Sequence, residues 1–473
     1  MSSKFTDPRE QVEIPWGQRD RLRLSIPGDW SLTDVAWPEL EGAIGDYTAA
    51  LERALDTPLG TERIEQEAHA GTTVAIVVDD PSRWTPVSEA LPVLLRRLHA
   101  AGVRTSDVSI SVGVGRHHEV DTQEMRARVG DAVHATYRCF SPPVDELAQY
   151  VDLGTTPEGV PVRVFRPVAE ADLRIMVGSV LPHLQAGFGG GYKLIFPGTS
   201  HRSTLGALHR MGLSGDPARL LGSDADHNPM RQAIRSAAQL LRGRSFSVSH
   251  LIGAPGQVLH LVAGQPDQVQ EALAAEVRRR FRIDADSPAD IVVVGNNPWP
   301  GDPLQSFKVL LNHRAAGRIG GVLAGFFWTD PDEIDRSFPL TSLRLIAATS
   351  AVGGWVIRRV LKQAERMLSA LGSPSAFMLR WARELVVDRT VLVYAPLLHA
   401  KLGAHLGPIR LFADQGRLWQ AAERALGGKP SLGVRVFPQG GLTYCTLSDK
   451  SATRDPGEAA RETDFLSAHG GLR

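Results

Sequence analysis

Cysteine is nearly absent: Cys139 and Cys445 are the only two in 473 residues. Two thiols cannot build a disulfide framework or a cysteine-based zinc site. Net charge is absent as well, with 52 Lys and Arg against 52 Asp and Glu. A balanced chain lacks the electrostatic footprint of a protein that coats nucleic acid, so nucleic acid is not expected as a partner. No run approaches the ~18 consecutive apolar residues of a membrane-spanning helix, and no membrane is expected either. The opening MSSKFTDPREQVEIPWG has no apolar core of the kind a signal peptide needs. These absences predict a cytoplasmic protein. Repeats and low-complexity stretches are also missing. What is present, 43% hydrophobic and 22% charged residues, suits a globular enzyme. The length allows two or three domains.

Along the chain, residues 11–28 alternate apolar and polar and predict an opening hairpin or edge strand. Residues 38–70 read as helical. TTVAIVV at 72–78 is apolar throughout, as a buried parallel strand is. A helix over about 87–101, closed by Gly102, and a strand DVSISVGV at 107–114 complete a βαβ unit. ADLRIMV at 171–177 is a further strand. Strands at 246–251 and 258–263 and a helix over 266–281 follow. The composition restarts at Ser287-Pro288, and the α/β pattern resumes with strands at 291–295, 321–327, 390–394 and 434–437. Helices are expected from about 303, near 357–371 and 375–387, and over 414–426. The fold class is therefore α/β, with parallel-rich sheets in two domains. They divide as residues 1–285 and 286–450, with a polar tail over 451–473.

In open α/β sheets the ligand lies beyond the carboxyl ends of the strands. Asp79, Asp80 and Arg83 follow the first buried strand, and Arg116, His117, His118 and Glu119 the second. The third leads into LPHLQAGFGGGYK, which holds His183, Gly190, Gly191 and Lys193. A glycine-rich loop lets backbone amides approach a phosphate or a flat cofactor. A lysine closing it can be a cation or a nucleophile. His209 lies on the next helix, and Gln305 and Lys308 share one helix face by their i, i+3 spacing. Each residue also has a structural explanation: a helix cap for Asp80, a snorkelling cation for Lys193, a packed imidazole for His209.

Taken together and in order, these segments resemble the nickel-dependent lactate racemase family. Asp80-Pro-Ser-Arg83-Trp-Thr-Pro resembles its D-x-T-R-P-T-P, and Gly115-Arg116-His117-His118 its G-x-H-R. Pro182-His183 through Gly190-Gly191-Tyr192-Lys193 resembles its P-H…G-G-x-K, and Gln305-Ser-Phe-Lys308 its Q-x-x-K. The resemblance implies an active site in a cleft between the two domains. It implies a nickel-pincer cofactor, a pyridinium-3-thioamide-5-thiocarboxylic acid mononucleotide carrying nickel and installed by dedicated biosynthesis enzymes. Lys193 would tether that cofactor beside Gly190 and Gly191, and His209 would bind the nickel. His117 and His183 would be the acid/base pair. Asp80, Arg83, Gln305 and Lys308 would hold a small 2-hydroxy acid, racemised or epimerised by hydride transfer. Two imidazoles suit that task because they titrate near neutral pH.

The chain departs from the pattern at Ser82 and Trp84, and His118 stands where the family has arginine. These changes beside the substrate point to a 2-hydroxy acid other than lactate. Phe377, Trp381 and Trp328 are candidates for the aromatic that covers the cofactor. Two other readings stay open: a nucleotide-dependent oxidoreductase, and a non-catalytic homologue that keeps the cofactor residues.

Overall fold

The apolar run after Gly71 forms a strand, Val74–Asp79, that is buried at every position. A strand without polar alternation must be covered on both faces, and this one is. One apolar cluster lies on one side of it, built from Leu91, Leu94 and Leu98 of helix Val87–Ala100 over Ile76 and Val78. A second cluster, with Phe196, Leu208 and Ile234, covers Ala75 and Val77 on the other. Each fully buried Val, Leu or Ile contributes roughly 1.5–3 kcal/mol through removal from water.

This computed structural model describes residues 12–17, 19–115, 119–212, 217–299, 303–331, 354–370, 379–380, 385–429 and 431–447. His117 and His118, Phe377 and Trp381, most of the helix expected at 375–387 and the tail at 451–473 lie outside them.

The strands of the two large sheets, in chain order, are β1 (Ser31–Val35), β2 (Val74–Asp79), β3 (Val108–Gly113), β4 (Arg138–Phe140), β5 (Leu173–Ser179), β6 (Arg244–Ala254), β7 (Gln257–Gly264), β8 (Ala289–Gly295), β9 (Gly317–Phe326), β10 (Thr390–Tyr394), β11 (His405–Leu406), β12 (Ile409–Phe412) and β13 (Gly433–Phe437). The first sheet has the order β7-β6-β5-β2-β3-β4, and the second β11-β12-β10-β9-β8-β13-β1. Pairing is parallel except at β6–β7 and β11–β12.

Two features differ from the reading by eye. The hairpin at the start exists, as Glu13–Trp16 against Asp20–Arg23. The strand after it, β1, pairs with β13 in the second sheet, so residues 31–35 join elements some four hundred residues later. In addition, a hairpin of Tyr150–Thr155 and Pro161–Phe165 precedes β5.

The chain thus passes between the sheets twice, after β1 and before β8, and the two crossings are stitched together. Glu39 N donates to Arg280 O at 3.0 Å. Arg280 Nη1 donates to Glu41 O at 2.8 Å. A shared apolar cluster, with Val180, Leu184 and Phe188 beside Val294, Phe437 and Tyr444, joins the sheets further in.

Candidate active site

Where the order of strands reverses across an open parallel sheet, a crevice opens at their carboxyl ends. In the first sheet that reversal falls between β2 and β5, and in the second between β8 and β13. The two reversals face each other. A small hollow of about 10 Å³ between them is lined by Arg83 and Trp84 after β2, Ser179 and Leu181 of the β5 end, and Ile252 of β6. Pro298 and Trp299 after β8 and Leu442 after β13 close it from the other side.

The loop after β2 is built around two aspartates. Asp79 is buried and pairs with the equally buried Arg128. Its Oδ2 also accepts from Thr85 Oγ1 at 2.6 Å and Ser179 N at 3.1 Å, tying β2 to β5. Arg128 Nη1 donates to the carbonyls of Arg83 and Thr85, each at 3.0 Å. Asp80 Oδ1 accepts from Ser82 N at 3.0 Å, and Arg83 Nε lies 3.7 Å from Asp80 Oδ2. Ser82, one of the departures, therefore sustains the turn as a side-chain donor to Asp80. Arg83 stands over the Trp299 ring, 5.3 Å from its centroid. Trp84 meets the same ring at 5.9 Å.

The loop after β5 carries four of the residues singled out in the sequence. His183 Nδ1 accepts from the amides of Gln185 and Ala186, at 3.2 and 3.0 Å. An acceptor nitrogen carries no proton, so the neutral ring bears its proton on Nε2. Burial and then the charges of Lys193, Lys308, His209 and Arg83 hold His183 well below the usual imidazole range. Gly190 and Gly191 adopt φ of +75° and +59°, a region open to glycine. They turn the chain into the short helical turn that holds Lys193. The Lys193 amine is pushed down to about 7, by burial first, then by Arg83, Arg231 and Lys308, with Asp80 opposing.

His209, on helix Arg202–Met211, is buried, and its Nδ1 lies 2.7 Å from Leu205 O. A carbonyl only accepts, so Nδ1 carries the proton and Nε2 the lone pair. Lys308 lies on helix Pro303–His313, close enough to press on both His183 and Lys193. Gln305 occupies the first turn of that helix, and its side chain is outside the described residues. The structure thus brings Asp80, Arg83, His183, Lys193, His209 and Lys308 into one electrostatic neighbourhood. Trp328 follows β9, its backbone held by Asn296 at 2.7 and 3.1 Å, and a Cβ on Gly17 would lie 3.2 Å from its indole.

Five residues here went unremarked in the sequence: Arg128, Gln185, Asn228, Arg231 and Trp299. Gln185 Nε2 holds His209 O at 3.1 Å, and Asn228 Nδ2 holds Gln185 O at 2.8 Å. Asn228-Pro229 is a legible helix start, asparagine as cap and proline in the first turn. Nothing in a single sequence says that the cap also reaches the histidine loop.

The sequence model of the lactate racemase N-terminal domain matches residues 17–221. A lactate racemase of Thermoanaerobacterium thermosaccharolyticum is 27% identical over 320 residues, covering 66% of this chain and 73% of that protein. One of Lactiplantibacillus plantarum is 24% identical over 275 residues, covering 58% of this chain and 64% of that protein. The lactate racemase apoprotein structure from T. thermosaccharolyticum superposes with a TM-score of 0.76 at 21% identity, over 92% of this chain and 99% of that one. A Thermotoga maritima protein superposes with a TM-score of 0.60 at 14% identity, over 85% and 97% of the two chains. The resemblance to lactate racemases thus extends from the motifs to the fold. Among the described residues no helix is long and apolar enough to cross a membrane.

Proposed function

We propose that this chain is a racemase or epimerase of a 2-hydroxy acid, an isomerase that works with a nickel-pincer nucleotide. The observation that carries the reading is the amine of Lys193. It is pushed down to about 7 within a glycine loop, beside His183, Arg83 and Lys308. A lysine with a substantial free-base fraction at neutral pH can form a covalent link.

The residues present fit the cofactor. Lys193 supplies the attachment point. His209, with Nδ1 on the Leu205 carbonyl, would offer its other ring nitrogen to nickel. Among the described residues no three His, Cys, Asp or Glu side chains gather around a metal, so the other nickel donors would be the cofactor's own. When bound, the cofactor supplies a reversible hydride acceptor for the carbon bearing the hydroxyl.

The chain's own residues do the rest. Arg83, oriented by Asp80 and Trp299, and Lys308 from the other sheet bind the substrate carboxylate, with Gln305 beside Lys308. His183 enters as a neutral ring with Nε2–H toward the substrate oxygen. In that state it donates a hydrogen bond; it accepts the hydroxyl proton at Nε2 only as the other tautomer, with the ring proton moved to Nδ1 and Nδ1 freed from its two amides. His117 is the second acid/base residue in this proposal. The seam between the sheets is the closed form of the substrate cleft, and its apolar lining excludes water. Trp84, a departure from the family pattern, lines it with Trp299, and the departures at Trp84 and His118 favour a 2-hydroxy acid other than lactate. Cofactor-biosynthesis enzymes are the maturation partners, and the cytoplasm is the compartment.

Co-expression with those enzymes tests the proposal. Intact mass should show an adduct of one mononucleotide, with nickel in equimolar amount, and chiral analysis should show interconversion of a 2-hydroxy acid. Lys193→Ala should lose adduct and activity together. An unmodified, nickel-free wild-type chain, beside a control racemase that loads in the same host, would overturn the reading. Adduct and nickel without turnover on a wide panel of 2-hydroxy acids would mark a non-catalytic homologue.

A further inference from the structure

Helix Pro229–Ala238 begins with Asn228, whose Oδ1 accepts from Arg231 N at 2.9 Å. That cap fixes Arg231 in the first turn. The side chain is 2% exposed, one of the largest fully buried in the protein. A guanidinium in such a place needs acceptors, and it finds three consecutive carbonyls. Arg231 donates to Phe188 O, to Gly189 O at 3.4 Å and to Gly190 O at 3.3 Å. These carbonyls belong to the loop that ends in Lys193. Gly190 O also accepts from Lys193 N at 3.3 Å, so arginine and lysine share one acceptor.

We propose that Arg231 is a positioning residue for Lys193: it clamps the glycine loop that presents the amine and keeps a permanent positive charge behind it. The inference rests on reading Lys193 as the attachment point, and it assigns a role to a residue that touches neither substrate nor reacting atoms.

Three arguments support the clamp. Successive carbonyls turned toward one point leave a concentration of negative dipole ends inside the protein, and a five-donor planar fork satisfies several at once. The loop is closely packed at both glycines. A Cβ on Gly190 would meet Val180 Cγ2 at 2.6 Å, and one on Gly191 would meet Pro266 O at 3.0 Å. Third, the other cations pressing on Lys193, Arg83 and Lys308, are those proposed to bind substrate, whereas Arg231 is walled in. Its charge acts on Lys193 at every stage, including before any cofactor arrives. The groups facing Lys193 are Arg83, Arg231, Lys308, Asp80 and His183. Those facing Arg231 are Asp267, Arg235 and Glu271. A cation beside a desolvated lysine favours the free base, which is the nucleophilic form.

The experiment uses the full-length protein without cofactor. N-hydroxysuccinimide acetate acylates free-base amines, and peptide mass spectrometry reads its rate at Lys193 against pH. Wild type should give a midpoint near 7. Arg231→Met should raise it by about one unit, slowing labelling at pH 7 about fivefold. Arg231→Lys keeps a charge but not the fork. Its midpoint should stay near that of wild type, while amide hydrogen exchange over residues 189–193 accelerates at least ~10-fold through loss of local protection. A folded Arg231→Met protein with the wild-type midpoint would remove the electrostatic role. Unchanged exchange in Arg231→Lys would remove the clamp. Should Arg231→Met fail to fold, exchange in Arg231→Lys still decides the clamp, which the proposal cannot lose. Labelling requires no cofactor, so an unloaded wild-type enzyme would count against the racemase reading and leave the Arg231–Lys193 link standing.

Discussion

Two regions of the molecule gather several cations, and they have little else in common. At the seam between the sheets, Arg83, Lys193, Lys308 and Arg231 surround a hollow of about 10 Å³ or the loop behind it. At the outer edge of the second sheet a hollow of about 340 Å³ is lined by Arg410, Arg417 and Arg424, with His399 and Gln420. Arg417 and Arg424 are exposed, and Arg410 lies 5.2 Å over the Phe412 ring. Asp414, the acid of that lining, has its carboxylate committed to capping the next helix, 2.8 Å from Arg417 N. Water and salt screen charges there within about 10 Å. At the seam, burial lets each cation act on the next, and an amine changes its protonation state. Room alone does not make a reactive site; exclusion of water around converging charges does.

The largest way to sharpen this contrast is to remove His183. His183→Gln should lower kcat of the loaded enzyme roughly 10²–10⁴-fold, the range for one acid/base group. Nickel and adduct should stay at wild-type levels, as metal analysis and intact mass would show. Full activity would take His183 out of the chemistry.

Arg128→Met comes next. It strands the buried Asp79 carboxylate and frees the carbonyls of Arg83 and Thr85. Breaking a buried pair from one side costs about 3–5 kcal/mol, measurable by urea unfolding. Adding Asp79→Asn should recover part of it, because the stranded charge is gone. A loss below about 1 kcal/mol would place the pair among surface ion pairs.

A smaller effect lies in pH. Lys193 in the folded apo protein sits at about 7, below its ordinary value of 10.5. Between those values the unfolded chain binds more protons than the folded one, so stability rises with pH across that window. Lys193→Met should be the more stable protein at pH 6, and the difference should shrink toward pH 10.5. Thermal melts of both proteins across that range check it, and parallel curves would mean the amine is not perturbed.

The smallest expected effect breaks the contrast if it fails. Replacing Arg410, Arg417 and Arg424 together by Gln should shift stability by no more than about 0.5 kcal/mol per site. Racemase kcat/KM should stay within about twofold, since none of the three faces the seam. A large loss of turnover would give the outer hollow a part in the reaction.

How legible all this was depends on the range of the interaction. Buried strands such as β2, β5 and β8 announce themselves as apolar runs, because both faces are covered. β1 does not. SLTDV is half exposed, its partner is β13, and only the finished sheet makes it a strand. The residues at the strand ends could be found as ordered motifs, and Asp80, Arg83, His183, Lys193, His209 and Lys308 do come together. Arg128 and Arg231 could not, since an arginine on an amphipathic helix looks like a solvated one until its burial is known. Trp299 is legible only as a loop residue; its place over Arg83 depends on the packing of one sheet on the other.

The paired crossings between the sheets have a mechanical consequence. A single covalent link would let the halves swivel. Two links bound side by side, Glu39 on Arg280 and Arg280 on Glu41, act as a strap hinge. Backbone and guanidinium hydrogen bonds therefore couple the two covalent links, so a change in the course of one is felt by the other.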